Sequence, residues 1–287
     1  MRFRIFREFG AMNSGPVFDA FENSIKDQHK IVQDDNFDVA VIWSVLWHGR
    51  MSKNLEVWQL CKKHNRPVIV LEVGGIKRGT TWKVGINGIN RDAFFGPSGN
   101  TSDRAKQLGL ELKPWKLSGD HILICGQHDK SEQWRNMPSM STWVLSVMEQ
   151  IRKYTDMKII FRPHPRCQLH GIEHEFDNVF RQQPRQVEGT YDDFDFNLEN
   201  AHAVVSWTSN PGIHAVIGGV PAFVGPSSLA YDVANHEWHN IVVPMKPDRT
   251  QWLNDYAHTE YTVEEISQGI PLKKLQPKLQ ELVDKSV

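Results

Sequence analysis

The stretch SWTSNPGIHAVIGGVP, residues 206–221, decides the fold. The apolar run AHAVVSW at 201–207 enters it, a polar turn interrupts, PGIHAVIGG at 211–219 reads as a helix, and VPAFVG at 220–225 resumes strand character. Strand, polar turn, helix and strand in close succession is the unit of a parallel sheet covered on both faces. Ser209 or Asn210 can cap the helix, Pro211 suits its first turn, and Gly212 removes a side chain where a ligand would approach the backbone. Free N–H groups and the positive end of the helix dipole then favour an anion. Thr208 and Ser209 add hydroxyl donors, a set that suits a diphosphate. An ordinary capped helix is the alternative.

Outward from there, the same alternation fills the chain. FRIF at 3–6 is a strand, the loop GAMNSGP follows, and VFDAFENSIKDQ is a helix with Val17, Phe18, Phe21 and Ile25 at helical spacing. FDVAVIWSV at 37–45 and PVIVLEVGG at 67–75 are strands either side of the helix LEVWQLCKKHN at 55–65, and 76–101 reads as loop. A short helix in SDRAKQLGLELKPW runs into a Pro-bearing connector around 113–118. Beyond it come the strand HILICGQ at 121–127, the helix STWVLSVMEQIRKY at 141–154, the strand MKIIFRPHP and a short strand in NVFRQQ. FDFNLEN predicts a short helix and NIVVP at 240–244 an edge strand, and the C-terminal tail reads as helix broken by Pro271 and Pro277. Two Rossmann-like halves are expected, residues 1–115 and 116–287.

Composition bounds the function. The chain has 287 residues, 40% of them hydrophobic, enough to bury a sizeable core. Its 33 Lys and Arg against 34 Asp and Glu give no overall field for a polyanion, so any nucleic-acid contact needs a local patch. Cys61, Cys125 and Cys167 are scattered, which gives neither a disulfide framework nor a zinc site and fits a reducing cytoplasm. The N-terminus has no apolar signal core, and no segment is long enough to span a bilayer. No metal-binding motif appears among the 13 histidines, and Asp192, Asp193 and Asp195 read as a solvated helix start. GGIKRGTTWK lacks the spacing of a phosphate-binding NTPase loop.

In an open parallel sheet, ligands bind beyond the carboxyl ends of the strands. FRPHPR at 161–166 lies at such an end. Pro163 and Pro165 fix φ on either side of His164, while Arg162 and Arg166 supply charge for phosphate. An exposed basic corner is the alternative. Tyr231 and Asp232, after the PSSLA loop, are placed to close over a ligand.

Residues 206–221 resemble the donor-binding segment of glycosyltransferases of the GT-B fold, an α/β class with two Rossmann-like domains facing each other across a cleft. Four segments in order, VLEVGGIKRGTTWKVGINGIN, ILICGQHDKSEQW, FRPHPR and VVSWTSNPGIHAVIGGVPAFVGPSSLAYDVA, are similar to the capsule-polysaccharide synthesis family, which includes bacterial Kdo transferases. The modest size and absent membrane segment also resemble phage glycosyltransferases that modify DNA bases.

The resemblance implies a nucleotide-sugar donor, UDP-linked or alternatively CMP-linked, held by the C-terminal half with no cofactor and no metal. Gln127, His128, Arg162, His164, Arg166, Thr208, Ser209, Asn210, Gly212, His214 and Tyr231 are the donor-binding candidates. His214 stands where many GT-B enzymes carry a glutamate for the ribose hydroxyls. The N-terminal half is then expected to hold the acceptor and a general base: Glu72 first, then Asp19 and His48. Ser14, Lys77, Arg78 and Trp82 are the acceptor-binding candidates, within a basic, aromatic surface that also takes in Trp47, Lys62, Lys63, His64, Arg66, Lys83 and Arg91. That surface leads to a hydroxymethylated pyrimidine in double-stranded phage DNA as the expected acceptor. A bacterial surface polysaccharide and a non-catalytic sugar-nucleotide-binding protein are the alternatives.

Overall fold

The computed structural model describes residues 1–190 and 193–286. Along the chain they form β1 (Arg2–Ile5), α1 (Gly15–Ile25), β2 (Lys30–Ile31), β3 (Val39–Trp43), α2 (Asn54–Lys63), β4 (Val68–Val73), β5 (Thr81–Ile86) and α3 (Asp103–Gln107). Then come β6 (His121–Cys125), α4 (Met140–Arg152), β7 (Lys158–Arg162), β8 (Val179–Arg181), β9 (Ala201–Val205), α5 (Asn210–Ile217) and β10 (Ala222–Phe223). The chain ends with α6 (Thr250–Tyr256), β11 (Glu260–Thr262), α7 (Val263–Ser267) and α8 (Ile270–Lys285).

The result is mixed α/β with two sheets. The first has the order β11-β5-β4-β3-β1-β2. Strands β1 to β4 are parallel, whereas β5 and β11 add antiparallel at one edge. Successive strand side chains alternate between faces, so these near-continuous apolar strands feed two cores. On one face Val39, Val41, Trp43, Ile69 and Leu71 meet Val17, Phe18, Phe21 and Ile25 of α1. On the other, Ala40, Ile42, Val68 and Val70 meet Val57, Trp58 and Cys61 of α2.

The second sheet, β10-β9-β6-β7-β8, is wholly parallel. Ile122, Ile124, Ile159, Phe161, Ala203 and Val205 pack against Trp143, Val144, Val147, Met148 and Ile151 of α4. Register aligns Cys125 with Arg162 and Ile124 with Val205, so the loops that leave β6, β7 and β9 start side by side.

The chain divides into two compact units, but no single cut near residue 115 separates them. Met1–Arg104, Lys130–Glu132 and Asp255–Val287 form one, and Ala105–Asp129 with Gln133–Asn254 the other. The C-terminal segment joins the first unit because β11 pairs with β5 and because Leu272, Leu275 and Leu279 of α8 enter the first core. Pro277 does not break α8. An interior proline costs about 3 kcal/mol, and here the buried leucine face on either side offsets it.

Three local expectations are corrected. Residues 81–86, expected as loop, form the buried strand β5, whose Lys83 and Gly85 hid its strand character. FDFNLEN is not helical, because Phe194 bridges to Gln186 and the Asp195 N–H donates to the Arg185 carbonyl at 2.9 Å. NIVVP is not an edge strand. Trp238–Ile241 is a 3-10 turn, and Val242 and Val243 lie exposed after it, outside any strand.

Candidate functional site

In the second unit the unusual residues gather where β6, β7 and β9 end. The Gln127 side-chain oxygen accepts from the Thr208 backbone N–H at 3.0 Å and from its hydroxyl at 3.2 Å, and both residues are buried. This ties the loop after β6 to the turn before α5. His128 and His164 meet edge to face with centroids 5.5 Å apart. The corner at His164 is closed by the Arg166 N–H, which donates to the His164 Nδ1 at 3.1 Å, and by the Cys167 N–H, which donates to its carbonyl at 2.9 Å.

α5 opens at the same strand ends. Ser209 occupies the capping position with an extended backbone, yet its side chain makes no capping bond. Its Oγ is buried and has no partner among the described residues, as is true of the Oγ of Ser206. Two orphaned hydroxyls beside the uncapped first turn of a helix are polar capacity left for something outside the chain. Gly212 has a different reason from the expected one. A Cβ there would lie 2.6 Å from the Ser206 Oγ and 2.8 Å from Val224, so close packing of α5 on the residues that follow β9 and β10 demands glycine.

Arg162, expected to meet phosphate, is engaged by Asp195. It is 7% exposed, and its guanidinium is spent on Asp195, donating to the carbonyl and, at 3.3 Å, to the carboxylate. Asp195 also accepts from the Arg185 N–H at 2.9 Å, so Arg162 pins the 185–195 segment. His214, half-buried on α5, sets its ring 6.0 Å from Phe196. Asn210 begins α5, Arg166 is exposed, and Tyr231 stacks on His236 at 3.7 Å.

In the first unit, Glu72 lies near the carboxyl end of β4 and accepts from the Ser44 hydroxyl and, at 2.7 Å, from the Val73 N–H. Burial raises its pKa above the ordinary glutamate value, and Ser44, the Val73 amide, Lys83 and Arg78 hold back part of that rise. Ser44, next after β3, has a φ of 63°. Glu260 is fully buried and accepts from Gly75 N–H at 2.7 Å, Ile76 N–H at 2.9 Å and the Thr81 hydroxyl at 2.8 Å. Gly74 has to be glycine, since a Cβ there would lie 2.3 Å from a Glu260 oxygen.

Among the other first-unit candidates, Arg78 acts on the Glu72 charge. Asp19 points to solvent from α1 and pairs with Arg7, because it lies opposite the buried Val17, Phe18 and Phe21 stripe. His48 is exposed before the 3-10 turn Gly49–Lys53. Ser14 is buried and donates its hydroxyl to the Ala11 carbonyl at 2.7 Å. Lys77 is exposed and Arg78 half-buried. Trp82 is no stacking platform, being 7% exposed and packed on Trp43, and Lys83 is buried beside it in β5. Lys62 is held by Glu132 at 3.1 Å over the Trp58 ring.

Sequence reasoning missed Ser44, Ser206 and Glu260, and placed Lys83 on an exposed basic surface although it is buried. Ser44 and Ser206 each follow an apolar strand directly, a signal the sequence does carry. Glu260 lies nearly two hundred positions from its partners, and nothing local points to it. Among the described residues, no three His, Cys, Asp or Glu side chains gather as a metal site, and no helix is long and apolar enough to cross a membrane. Asp192 lies outside the described residues.

No known protein family matches the chain, and no curated protein sequence is similar to it. Among solved structures it resembles the β-Kdo 2,7 transferase of Thermosulfurimonas dismutans KpsC, with 15% identity and a TM-score of 0.53 over 95% of this chain and 99% of that one. It also aligns with the β-Kdo 2,4 transferase of the same KpsC, at 12% identity and a TM-score of 0.48 over 90% of each chain. The first likeness is one of fold and extends over nearly the whole of both chains.

Proposed function

We propose that this protein is a GT-B glycosyltransferase whose second unit binds a nucleotide sugar and whose first unit binds the acceptor, the two units being its Rossmann-like domains. The observation that carries this reading is the N-terminus of α5, where Ser206 and Ser209 bury hydroxyls with no partner among the described residues, beside uncapped N–H groups. That end suits the phosphates of a UDP- or CMP-linked sugar. Gln127 and Thr208 hold the wall, His128, His164 and Arg166 supply further donors, and no metal ion is required because the helix end and these groups supply the positive field.

Glu72 is the general base of the reading. The acceptor O–H bond breaks as its proton passes to the Glu72 carboxylate, and the oxygen pair forms the new bond to the anomeric carbon. The bond from that carbon to its leaving oxygen breaks, and its pair goes to that oxygen.

A bacterial surface polysaccharide of the Kdo type, or its lipid-linked primer, is the favoured acceptor. The fold likeness to a Kdo transferase supports it. The DNA acceptor has lost support, since Trp82 and Lys83 are buried and Lys62 is engaged. Incubation with UDP- and CMP-linked sugars, offering capsular oligosaccharides or hydroxymethylated duplex DNA as acceptors, tests the reading by mass spectrometry of the products. A glycosylated oligosaccharide is expected. Nucleotide binding with neither transfer nor donor hydrolysis would return the protein to the non-catalytic alternative.

A further inference from the structure

Glu72, Lys83 and Glu260 stand directly opposite one another on three adjacent strands. Register pairs Glu72 with Lys83 across β4 and β5, and Glu260 with Lys83 across β5 and β11. Directly opposed residues project from the same face of a sheet, so the three form one row, carboxylate, ammonium, carboxylate. Lys83 is 4% exposed and Glu260 fully buried, and Lys83 also donates to the Ile89 carbonyl at 3.4 Å.

Such a row is a poor device for stability alone, because well-packed apolar side chains of similar volume usually do as well or better. The two ends of the row differ. The Glu260 oxygens are filled by the Gly75 and Ile76 amides and the Thr81 hydroxyl, which makes this carboxylate an anchor for the loop after β4. Glu72 is only half-buried and stands beside the strained Ser44. Glu260 is fully buried and Glu72 half-buried, with the ammonium in the row between them.

We propose that Lys83 and Glu260 are positioning residues for Glu72, keeping its carboxylate charged and fixed for the acceptor hydroxyl. This rests on Glu72 being the base of the proposed transfer. The charged and titratable groups that act on Glu72 are Lys83 on β5 and Arg78 in the β4–β5 loop, with the hydroxyl of Ser44 just after β3. Glu260 on β11 acts through Lys83.

The test is the titration of Glu72 in protein carrying carbon-13 glutamate carboxyls, with its signal assigned by its loss in Glu72→Gln. In Lys83→Met the Glu72 midpoint should move to higher pH, because a cation that favours its charged form is gone. Lys83→Met combined with Glu260→Gln removes the charge of both, so it guards against simple unfolding and should show the same upward move. The acid limb of the pH–rate profile should follow in both variants. An unmoved Glu72 midpoint in a folded variant overturns the proposal whatever the activity. Undiminished transfer by Glu72→Gln overturns the base reading and the positioning role with it, while calorimetry with a nucleoside diphosphate and a monophosphate reports separately on the donor half.

Discussion

Ser44 donates its hydroxyl hydrogen to Glu72 on the neighbouring strand while holding its own backbone at a φ of 63°. A non-glycine residue in that region costs about 1 kcal/mol or more and persists only where its surroundings dictate it. Here the Glu72 carboxylate takes its hydrogen, and its Oγ accepts from the Leu46 N–H at 3.1 Å.

Replacement of Ser44 should separate strain from hydrogen bonding. Ser44→Ala keeps the strain and loses the bonds. Ser44→Gly loses the bonds and relieves the strain, and should therefore be the more stable of the two by about 1 kcal/mol. Urea unfolding measures the difference, and equal midpoints would show that the left-handed backbone carries no cost.

At the second strand-end cluster, Ser209→Ala should leave stability within about 0.5 kcal/mol of the parent, because the hydroxyl has no partner to lose. Nucleotide affinity should fall about tenfold, the value of one hydrogen bond to a charged group at the lower end of its range. Calorimetry and thermal unfolding on the same samples check both halves. Lost stability with unchanged affinity would mark an ordinary helix cap.

Arg162 and His164 should part company. Arg162→Ala removes the clamp on Asp195 and should destabilise the protein by about 1–3 kcal/mol. His164→Ala should weaken nucleotide binding about tenfold while the fold stays intact. If Arg162→Ala unfolds at the parental urea concentration and loses nucleotide affinity instead, its assignment as a clamp is wrong.

The pH dependence follows from the raised pKa of Glu72. Below it the carboxylate is protonated and no base is present, so transfer should fall on the acid side at a pH above the ordinary glutamate value. The stability sign is opposite to that of a salt-bridged carboxylate. The folded state holds the Glu72 proton more tightly than the unfolded chain does, so stability declines as pH rises from the ordinary glutamate value through the folded one. Glu72→Gln should remove the acid limb of the rate and flatten that decline in urea unfolding measured at several pH values. A limb that survives the substitution belongs to another group.

Much of this protein was determined by its sequence alone. Apolar runs such as VAVIW and HILIC set parallel strands because covered strands need apolar residues on both faces, and the polar residues at or just beyond strand ends, Gln127, His164, Thr208, Ser209 and Glu72, fall where an open parallel sheet would present groups to a ligand. What lay beyond it is long-range. Nothing local in Trp82 says whether it faces solvent or Trp43, nor in Arg162 whether its charge meets a ligand or Asp195. The return of the C-terminal segment makes β5 a buried strand and sets Glu260 opposite Lys83, more than 170 residues apart in sequence. Only the tertiary structure decides such pairings, because a side chain's role at these sites depends on which distant group occupies the space beside it, and local pattern encodes burial and periodicity but not the partner.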